Sequence, residues 1–265
     1  MPLLAVDSAA PVTPAQLDAI GARCGQPVRA VFRYLARYAA TKTEVAALLA
    51  SGVSVGLVWN GATASACGTY QQGYSAAQKA NAVATALGAP ANVTIWLDVE
   101  AGWPAAAEFL VGWADGQRAG PCALAGGVYC DQGLHVALTA ARAASANASL
   151  MPVWLADWTG APPVVPATWP MGTIGGASVV AWQWAANWQG VDCDLVADGF
   201  QGLWEPPAAF PDVAPTDWCY RDVRYVASLG LMDGLPDGTF GPDQTVTRAQ
   251  LATVAARIAR KAGWS

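Results

Sequence analysis

The chain of 265 residues is 54% hydrophobic and 12% charged, with a net charge of −5 at pH 7. The low charged fraction argues against disorder, and the lack of a basic block argues against nucleic acid as a partner. No apolar run approaches the ~20 residues of a membrane helix, so we expect no membrane partner. The length suits one large domain with a small appendage.

Short apolar runs alternate with helix patterns along the first part of the chain. We predict strands over 3–6, 28–35, 53–59, 93–99, 123–129, 151–156, 179–184 and 191–195. Capping boxes predict helix starts at Thr13, Thr41, Ser75 and Thr247. Strand and helix alternate five times, and strands and loops follow Met151. This order predicts an α/β fold whose parallel strands close into a barrel.

A proline-rich stretch, "WEPPAAFPDVAP", interrupts this pattern at 204–215. Its prolines cannot continue a helix or a central strand. We therefore predict a barrel domain over 1–204, a linker over 205–211 and a small all-α module over 212–265. A module of this size is below the length that usually folds well alone.

Cysteine and histidine usage gives little support to metal chemistry. The cysteines contain no C-x-x-C pair, and His135 is the single histidine, so a zinc site is poorly supported. A cysteine nucleophile activated by His135 is formally allowed, but a lone histidine is more often structural. G-x-G-x-x-G and P-loop patterns are also missing, so we expect no cofactor and no metal. The sequence does not decide whether disulfides form among Cys24, Cys67, Cys122, Cys130, Cys193 and Cys219.

Carboxylates follow several predicted strands. Asp98 and Glu100 close the run "TIWLDVEAGW", where residues two apart on a strand face the same side. Asp7 ends the first strand and Asp192 lies at the last, and barrel closure brings these two strands together. We expect the four acids to share one rim, the end of a barrel that carries active sites. Crowding should raise some pKa values, as glycoside hydrolysis requires, whereas the alternative role is helix capping or loop support.

Aromatic residues strengthen the carbohydrate hypothesis. Several of the 13 tryptophans lie at predicted strand ends, and flat apolar rings suit the faces of pyranose sugars. The alternative is that they fill a core, which we expect for Trp96. We predict substrate contacts from Trp59, Tyr129, Trp154, Asp157, Trp182 and Gln183, with Trp188 also near the rim.

Ordered strand-end motifs resemble a known family. The segments "AVDS", "IWLDVE", "GGVYC", "PVWLADW", "AWQWA" and "GVDCDL" resemble those of family 25 glycoside hydrolases, the N-acetylmuramidase lysozymes with an irregular (β/α)5β3 barrel. The stretches "VFRYLARY", "TKTEVAALLASGVSVGLVW" and "GYSAAQKANAVATALGAP" are more similar to a related glycoside-hydrolase-like barrel family of bacterial secreted proteins, whose activity is unsettled. Together the resemblance covers 3–204.

The resemblance to the muramidases implies a role for each acid. Glu100 matches the general acid, and Asp98 matches the neighbour that orients the substrate acetamido group or the intermediate. Asp7 and Asp192 match the supporting acids. The implied reaction is retaining cleavage of peptidoglycan, with the substrate N-acetyl oxygen as an alternative nucleophile.

The tail resembles a second family. "FPDVAPTDWCYRDVRYVASLGLMDGLPDGTFGPDQTVTRAQLA" is similar to the S-layer homology module, which implies binding to pyruvylated secondary cell-wall polymer. Arg248 would meet the acidic ketal, and Trp218, Asp237 and Gly238 match other pocket positions. The alternatives are a plain turn at Asp237–Gly238 and a solvated Arg248. Such modules usually occur in threes, so one copy suggests a homotrimer through the tail.

These observations predict a peptidoglycan hydrolase whose barrel cleaves the glycan and whose tail holds it on the bacterial cell wall. The start "MPLLAVDSAAP" lacks the pattern of a signal peptide, so we expect a bacteriophage endolysin made in the host cytoplasm and released at lysis. One alternative is a non-catalytic wall-binding or structural protein with a degenerate barrel. Another is an enzyme that acts on a different polysaccharide.

Overall fold

The computed structural model describes residues 2–121, 126–158, 160, 164–167, 169 and 172–263. The chain divides into two compact units, Met1–Trp204 and Glu205–Ser265. None of the helices in these described ranges is both long and apolar enough to cross a membrane.

The first unit alternates strands and helices and then continues with strands alone. Its first part contains β1 Leu3–Ser8, α1 Pro14–Cys24, β2 Val28–Tyr34, α2 Lys42–Ala50, β3 Ser54–Trp59, α3 Tyr70–Leu87, β4 Ile95–Asp98, α4 Ala107–Arg118, β5 Gly127–Cys130 and α5 His135–Ala144. Its second part contains β6 Val153–Ala156, β7 Thr173–Ile174, β8 Ala177–Trp188 and β9 Val191–Val196. The strand predicted over 123–129 begins at Gly127, and 122–125 lie outside the described residues.

The strands of the first unit close into a barrel. Strands β1 to β6 are parallel neighbours in chain order, and β8 continues parallel to β6. Strand β9 runs antiparallel to both β8 and β1 and so closes the ring, while β7 pairs only with β8 among the described strands. Eight strands therefore form the closed barrel, and the predicted (β/α)5β3 fold is confirmed.

Strand alternation divides the apolar residues into two layers. The outer layer packs the strands against the helices, whereas the barrel interior is filled by a few large rings above small residues. Phe32 stacks on Trp154 with ring centroids 4.3 Å apart, and Trp96 meets both rings edge-on. A Cβ on Gly127 would lie 2.3 Å from the Trp96 ring, so this position of β5 requires glycine. Trp154 also lines one open end of the barrel, and this group of three rings is called the aromatic floor below.

Helix starts follow the predicted caps with one correction. Thr13, Thr41 and Thr247 each accept a hydrogen bond from a backbone N–H three residues on. The predicted start at Ser75 is wrong, because α3 begins at Tyr70. Its capping box pairs Thr69 with Gln72, whose Oε1 accepts from the Thr69 backbone N–H at 3.0 Å.

The second unit holds two described helices, α6 Tyr220–Ser228 and α7 Arg248–Lys261. Its small core consists of Val213, Cys219, Tyr220 and Val223, with Phe210 and Phe240 packed against it. The Asp212 carboxylate accepts from the backbone N–H groups of Phe240 and Gly241, both at 2.8 Å. The residues predicted as a linker contact α6. Glu205 forms an ion pair with Arg221, and the Pro206 carbonyl accepts a hydrogen bond from the Tyr220 hydroxyl.

Candidate active site

A cavity of about 210 Å³ opens at the carboxyl ends of the parallel strands, above the aromatic floor. The structure brings seven of the predicted residues together there: Asp7, Asp98, Glu100, Asp192, Tyr129, Trp154 and Gln183. Five further residues complete the lining and were not among the predicted site residues: Tyr34, Val58, Trp158, Ala186 and Asn187. The four acids predicted to share one rim therefore do so.

Gln183 organises the hydrogen bonds of the pocket. Its Nε2 donates to Asp7 Oδ2 at 2.8 Å and to Asp192 Oδ2 at 3.3 Å. Its Oε1 accepts from the Tyr129 hydroxyl at 2.8 Å and from Trp158 Nε1 at 2.7 Å. One amide side chain thus orients two carboxylates, a tyrosine and a tryptophan.

Asp7 lies at the centre of the acidic cluster and is almost fully buried. The Tyr34 hydroxyl donates to its Oδ1 at 2.8 Å. Burial and the charge of Asp192 raise the pKa of Asp7 to about 7, although its hydrogen bonds oppose this shift. Asp7 is therefore partly protonated near neutral pH.

Asp98 and Glu100 face the same pocket from the end of β4. Burial, followed by the charges of Glu100 and Asp7, raises the pKa of Asp98 to about 7. Its Oδ1 is buried without a hydrogen-bond partner among the described residues, which is consistent with a neutral carboxyl. Glu100 lies exposed at the mouth, and partial desolvation together with Asp192 raises its pKa as well.

Asp192 enters the pocket from β9, and its pKa is also raised by burial. The Asn187 backbone N–H donates to Asp192 Oδ1 at 2.6 Å and limits that rise. Asn187 has a positive φ of 55°, in a part of β8 where the pairing with β9 is irregular. The distorted end of β8 therefore aims a backbone donor at this carboxylate.

Sequence reasoning missed a fifth acid, Asp194, which is fully buried below Asp7. Trp154 Nε1 donates to its Oδ1 at 3.1 Å. Burial and the charges of Asp7 and Asp192 raise the pKa of Asp194 well above its usual value, and its Oδ2 is buried without a hydrogen-bond partner among the described residues. The signal was present in "GVDCDL", because residues two apart on β9 share a face.

Three predicted substrate residues do not line the pocket. Trp59 and Trp182 are buried in the outer core, because their neighbours Val58 and Ala181 occupy the inward-facing positions of β3 and β8. Asp157 is also outside the pocket lining, and its backbone carbonyl accepts a hydrogen bond from Trp182 Nε1 at 2.8 Å. Trp188 packs against the same outer core. The prediction was wrong for these residues, because a position near the end of a strand does not determine whether the side chain faces the barrel interior or the helices.

The residues predicted to bind polymer occupy exposed positions in the second unit. Trp218 is 92% exposed, and Arg248 is the exposed first residue of α7. Gly238 has a positive φ of 84° in a turn, where the Asp237 carboxylate accepts from both the backbone N–H and the hydroxyl of Thr239. Asp237 therefore has a structural role in its own turn.

The described residues contain no cluster of histidine, cysteine, aspartate or glutamate arranged to hold a metal ion. Cys24, Cys67, Cys130, Cys193 and Cys219 are free thiols, and Cys122 lies outside the described residues.

Two family models match the chain. Residues 23–196 match the Rv2525c-like, glycoside hydrolase-like domain, and residues 209–252 match the S-layer homology domain. Of the three predicted resemblances, those to the related barrel family and to the S-layer homology module are thus confirmed.

Solved structures share the fold of the first unit. An uncharacterized protein of B. stearothermophilus has a TM-score of 0.67 and 22% identity, covering 76% of this chain and 100% of that one. The Tat-secreted protein Rv2525c of Mycobacterium tuberculosis, in complex with L-tartrate, has a TM-score of 0.54 and 16% identity, covering 77% and 98%. The spore cortex lytic enzyme SleM of Clostridium perfringens has a TM-score of 0.50 and 13% identity, covering 77% and 69%.

Curated relatives match a short part of the chain. Cell surface glycoprotein 1 of Acetivibrio thermocellus is 44% identical over 60 residues, which are 23% of this chain and 3% of that protein. The cellulosome-anchoring protein of the same organism is 41% identical over 54 residues, or 20% and 12% of the two chains. The chain therefore spans only a small fraction of the length of these relatives.

The raised pKa of Asp98 predicts a pH-dependent stability. A carboxyl with a higher pKa in the folded state binds its proton more tightly when folded, so its contribution is complete below about pH 3.8 and is lost as the pH rises through about 7. We expect Asp98→Asn to match the wild type in melting temperature at pH 4. At pH 8 it should melt a few degrees higher, since ~1 kcal/mol corresponds to about 2–4 °C in a domain of this size.

Calorimetry from pH 4 to pH 8 measures this difference. Asp18→Asn, the same change at an exposed position of α1, is the matched control and should show no such trend. A difference between Asp98→Asn and wild type that stays constant with pH would contradict the prediction.

Proposed function

Because the chain belongs to the family of Rv2525c-like, glycoside hydrolase-like domains, we propose that its barrel hydrolyses the glycan of bacterial cell walls. The observation that carries this proposal is the group of five carboxyls at one end of the barrel, where burial raises the pKa of each of them. Glycoside hydrolysis needs one acid that can donate a proton and a second carboxylate that stabilises the cationic sugar ring.

The environments of the acids support distinct roles. Glu100 lies at the open mouth, and its raised pKa favours the protonated form that a general acid needs to protonate a leaving oxygen. Asp98 lies deeper beside it and is suited to orient a substrate amide group. Asp7 accepts from Tyr34 and Gln183, which favours its charged form during the reaction.

An exposed aromatic ring supports a sugar as the ligand. Trp158 lines the pocket with 65% of its surface exposed, and the hydrogen bond from its Nε1 to Gln183 fixes the indole. Below it, Trp154 forms the floor. A fixed ring beside a carboxyl cluster can stack on the apolar face of a pyranose.

The finer proposal is an N-acetylmuramidase of the family 25 type, with retaining or substrate-assisted chemistry. The order of strands and the D-x-E at the end of β4 support it. Its cleavage would leave new reducing ends on N-acetylmuramic acid. The bacteriophage origin and release at lysis stay predictions.

We expect Glu100→Gln to lower the release of reducing ends from purified cell walls by about 10²–10⁴-fold, because the amide keeps the shape but has no transferable proton. Reducing ends and free amines are measured in parallel, and mass spectrometry of the fragments identifies the bond.

Glu108→Gln, at an exposed position of α4, is the matched control and should retain full activity. Hydrolysis would be refuted if the wild type bound walls but released no new reducing ends, and if both variants bound walls equally well. The barrel would then be a non-catalytic wall-binding module. If the wild type released reducing ends only from another polysaccharide, that polysaccharide would be its substrate.

We propose that the second unit anchors the protein to secondary cell-wall polymer. The match of residues 209–252 to the S-layer homology domain supports this, as does the name of a relative, the cellulosome-anchoring protein. Arg248 is the residue expected to meet an acidic ketal, because a guanidinium pairs well with a carboxylate. Linking this module to the barrel would raise residence on the wall through effective concentration.

We expect Arg248→Gln to weaken retention on walls that carry pyruvylated polymer by roughly tenfold, equivalent to one charge-assisted contact. Sedimentation with native walls and with walls chemically stripped of the polymer measures the effect. Arg260→Gln, at an exposed position later in α7, should behave as the wild type. If both variants lost retention equally, the effect would come from the overall charge of the module and not from a specific contact of Arg248.

We further propose that the second unit assembles as a homotrimer. Helix α7 buries none of its residues and leaves Leu251 and Ile258 exposed, with Val246 exposed just before it. Light scattering should give the mass of three chains, and Leu251→Asp should lower it to one. A wild-type mass of one chain would rule the trimer out.

A further inference from the structure

The loop that follows the carboxyl end of β2 carries an arginine, Arg37, at the end of the barrel that holds the acidic pocket. Tyr34, the last residue of β2, lines the pocket, and Arg37 follows three residues later. Asn60, which follows β3, fixes the backbone around it. Its Oδ1 accepts from the N–H groups of Ala36 and Arg37 at 3.1 and 3.0 Å, and its Nδ2 donates to the Arg37 carbonyl at 2.9 Å. An exposed residue thus has a fully determined backbone.

A buried arginine holds the same loop from its other side. Arg33 is 1% exposed, forms an ion pair with Glu44 and donates to the Ser8 carbonyl. Its Nη2 also reaches the Tyr38 carbonyl at 3.5 Å. Tyr38 has a φ of 57°, a left-handed conformation that non-glycine residues adopt only where the surroundings enforce it. Two anchors therefore keep the loop in one shape beside the pocket.

The Arg37 guanidinium itself is available. It is exposed and makes no hydrogen bond or ion pair with any residue in the described part of the chain. Its charge reaches the pocket, because it lowers the pKa of Asp98 against the effect of burial and of neighbouring carboxylates. Arg37 is therefore a free guanidinium on a held backbone, and its charge acts on one acid of the pocket.

Those carboxyls of the pocket that are ionised repel a negatively charged ligand. A glycan with a carboxylate on its sugar, or on a peptide attached to that sugar, would enter only if a cation met the charge. A guanidinium can bind a carboxylate through two parallel hydrogen bonds. We propose that Arg37 binds a carboxylate on the saccharide in the pocket and so selects an acidic glycan over a neutral one. This specificity role rests on the proposed function, because it requires wall glycan in the pocket.

Three soluble probes test the proposal by NMR titration. The first is N-acetylglucosaminyl-N-acetylmuramic acid, whose lactyl carboxylate is free. The second is the same disaccharide with that group converted to a carboxamide, and the third carries a dipeptide with its own carboxylates. The wild type should bind the first or the third roughly tenfold more tightly than the neutral amide, equivalent to one charge-assisted pair. The acidic probe that is preferred identifies the source of the carboxylate.

Arg37→Gln should abolish this preference and leave the affinity for the amide unchanged, whereas Arg37→Lys should retain part of it. Arg23→Gln, at an exposed position in the last turn of α1, is the control and should keep the preference. The proposal would be overturned if Arg37→Gln lost affinity equally for acidic and neutral probes, or if it lost no affinity at all. It would also be overturned if the wild type did not bind the acidic probes.

Binding separates this proposal from the proposed function. A preference that depends on Arg37 in a protein that releases no reducing ends would refute hydrolysis and leave the specificity role standing. Hydrolysis without that preference would refute the role of Arg37 alone.

Discussion

The antiparallel pairing of β9 with β1 is the constraint on which the site depends. This pairing closes the barrel, and its register sets Asp7 opposite Asp192 and Ala5 opposite Asp194. A parallel sheet left open at this edge would keep the first and last strands apart. Closure instead gathers acids from the first and last strands of the barrel above the aromatic floor, where Asp98 and Glu100 join them.

The chemistry of the pocket follows from the number of acids that closure brings together. Buried carboxyls this close cannot all ionise, so they share protons and titrate as a group. Gln183 and the hydroxyls of Tyr34 and Tyr129 supply donors that decide which oxygens accept. The same cluster that could provide an acid at neutral pH would also exclude anions, which gives Arg37 its proposed importance.

The fold and the main acids could be predicted because they depend on local patterns. Alternation of strands and helices gave the barrel, and strand ends located Asp98, Glu100 and their partners. The tryptophans were harder, because a shift of one residue reverses the face. Trp182 lies in the outer core, whereas Gln183 beside it reaches the pocket.

Other features depended on contacts that no local pattern shows. Asp194 obeys the same two-residue rule as Asp98 and Glu100, but its place below Asp7 follows from the register of β9. The clamp of Asn60 on the loop that carries Arg37 joins the ends of two strands. The start of α3 was misplaced because two Ser/Thr-x-x-Gln patterns lie close together, at Thr69 and Ser75.

The most direct test of this account is the titration of the individual carboxyls by carbon-13 NMR. We predict that Asp7 and Asp98 titrate near pH 7 and that the pKa of Asp194 lies well above the usual range of an aspartate. Titration of all the pocket's carboxyls near pH 4, as for isolated side chains, would contradict it. In that case the acids would not share protons, and the pocket would hold no proton donor at neutral pH.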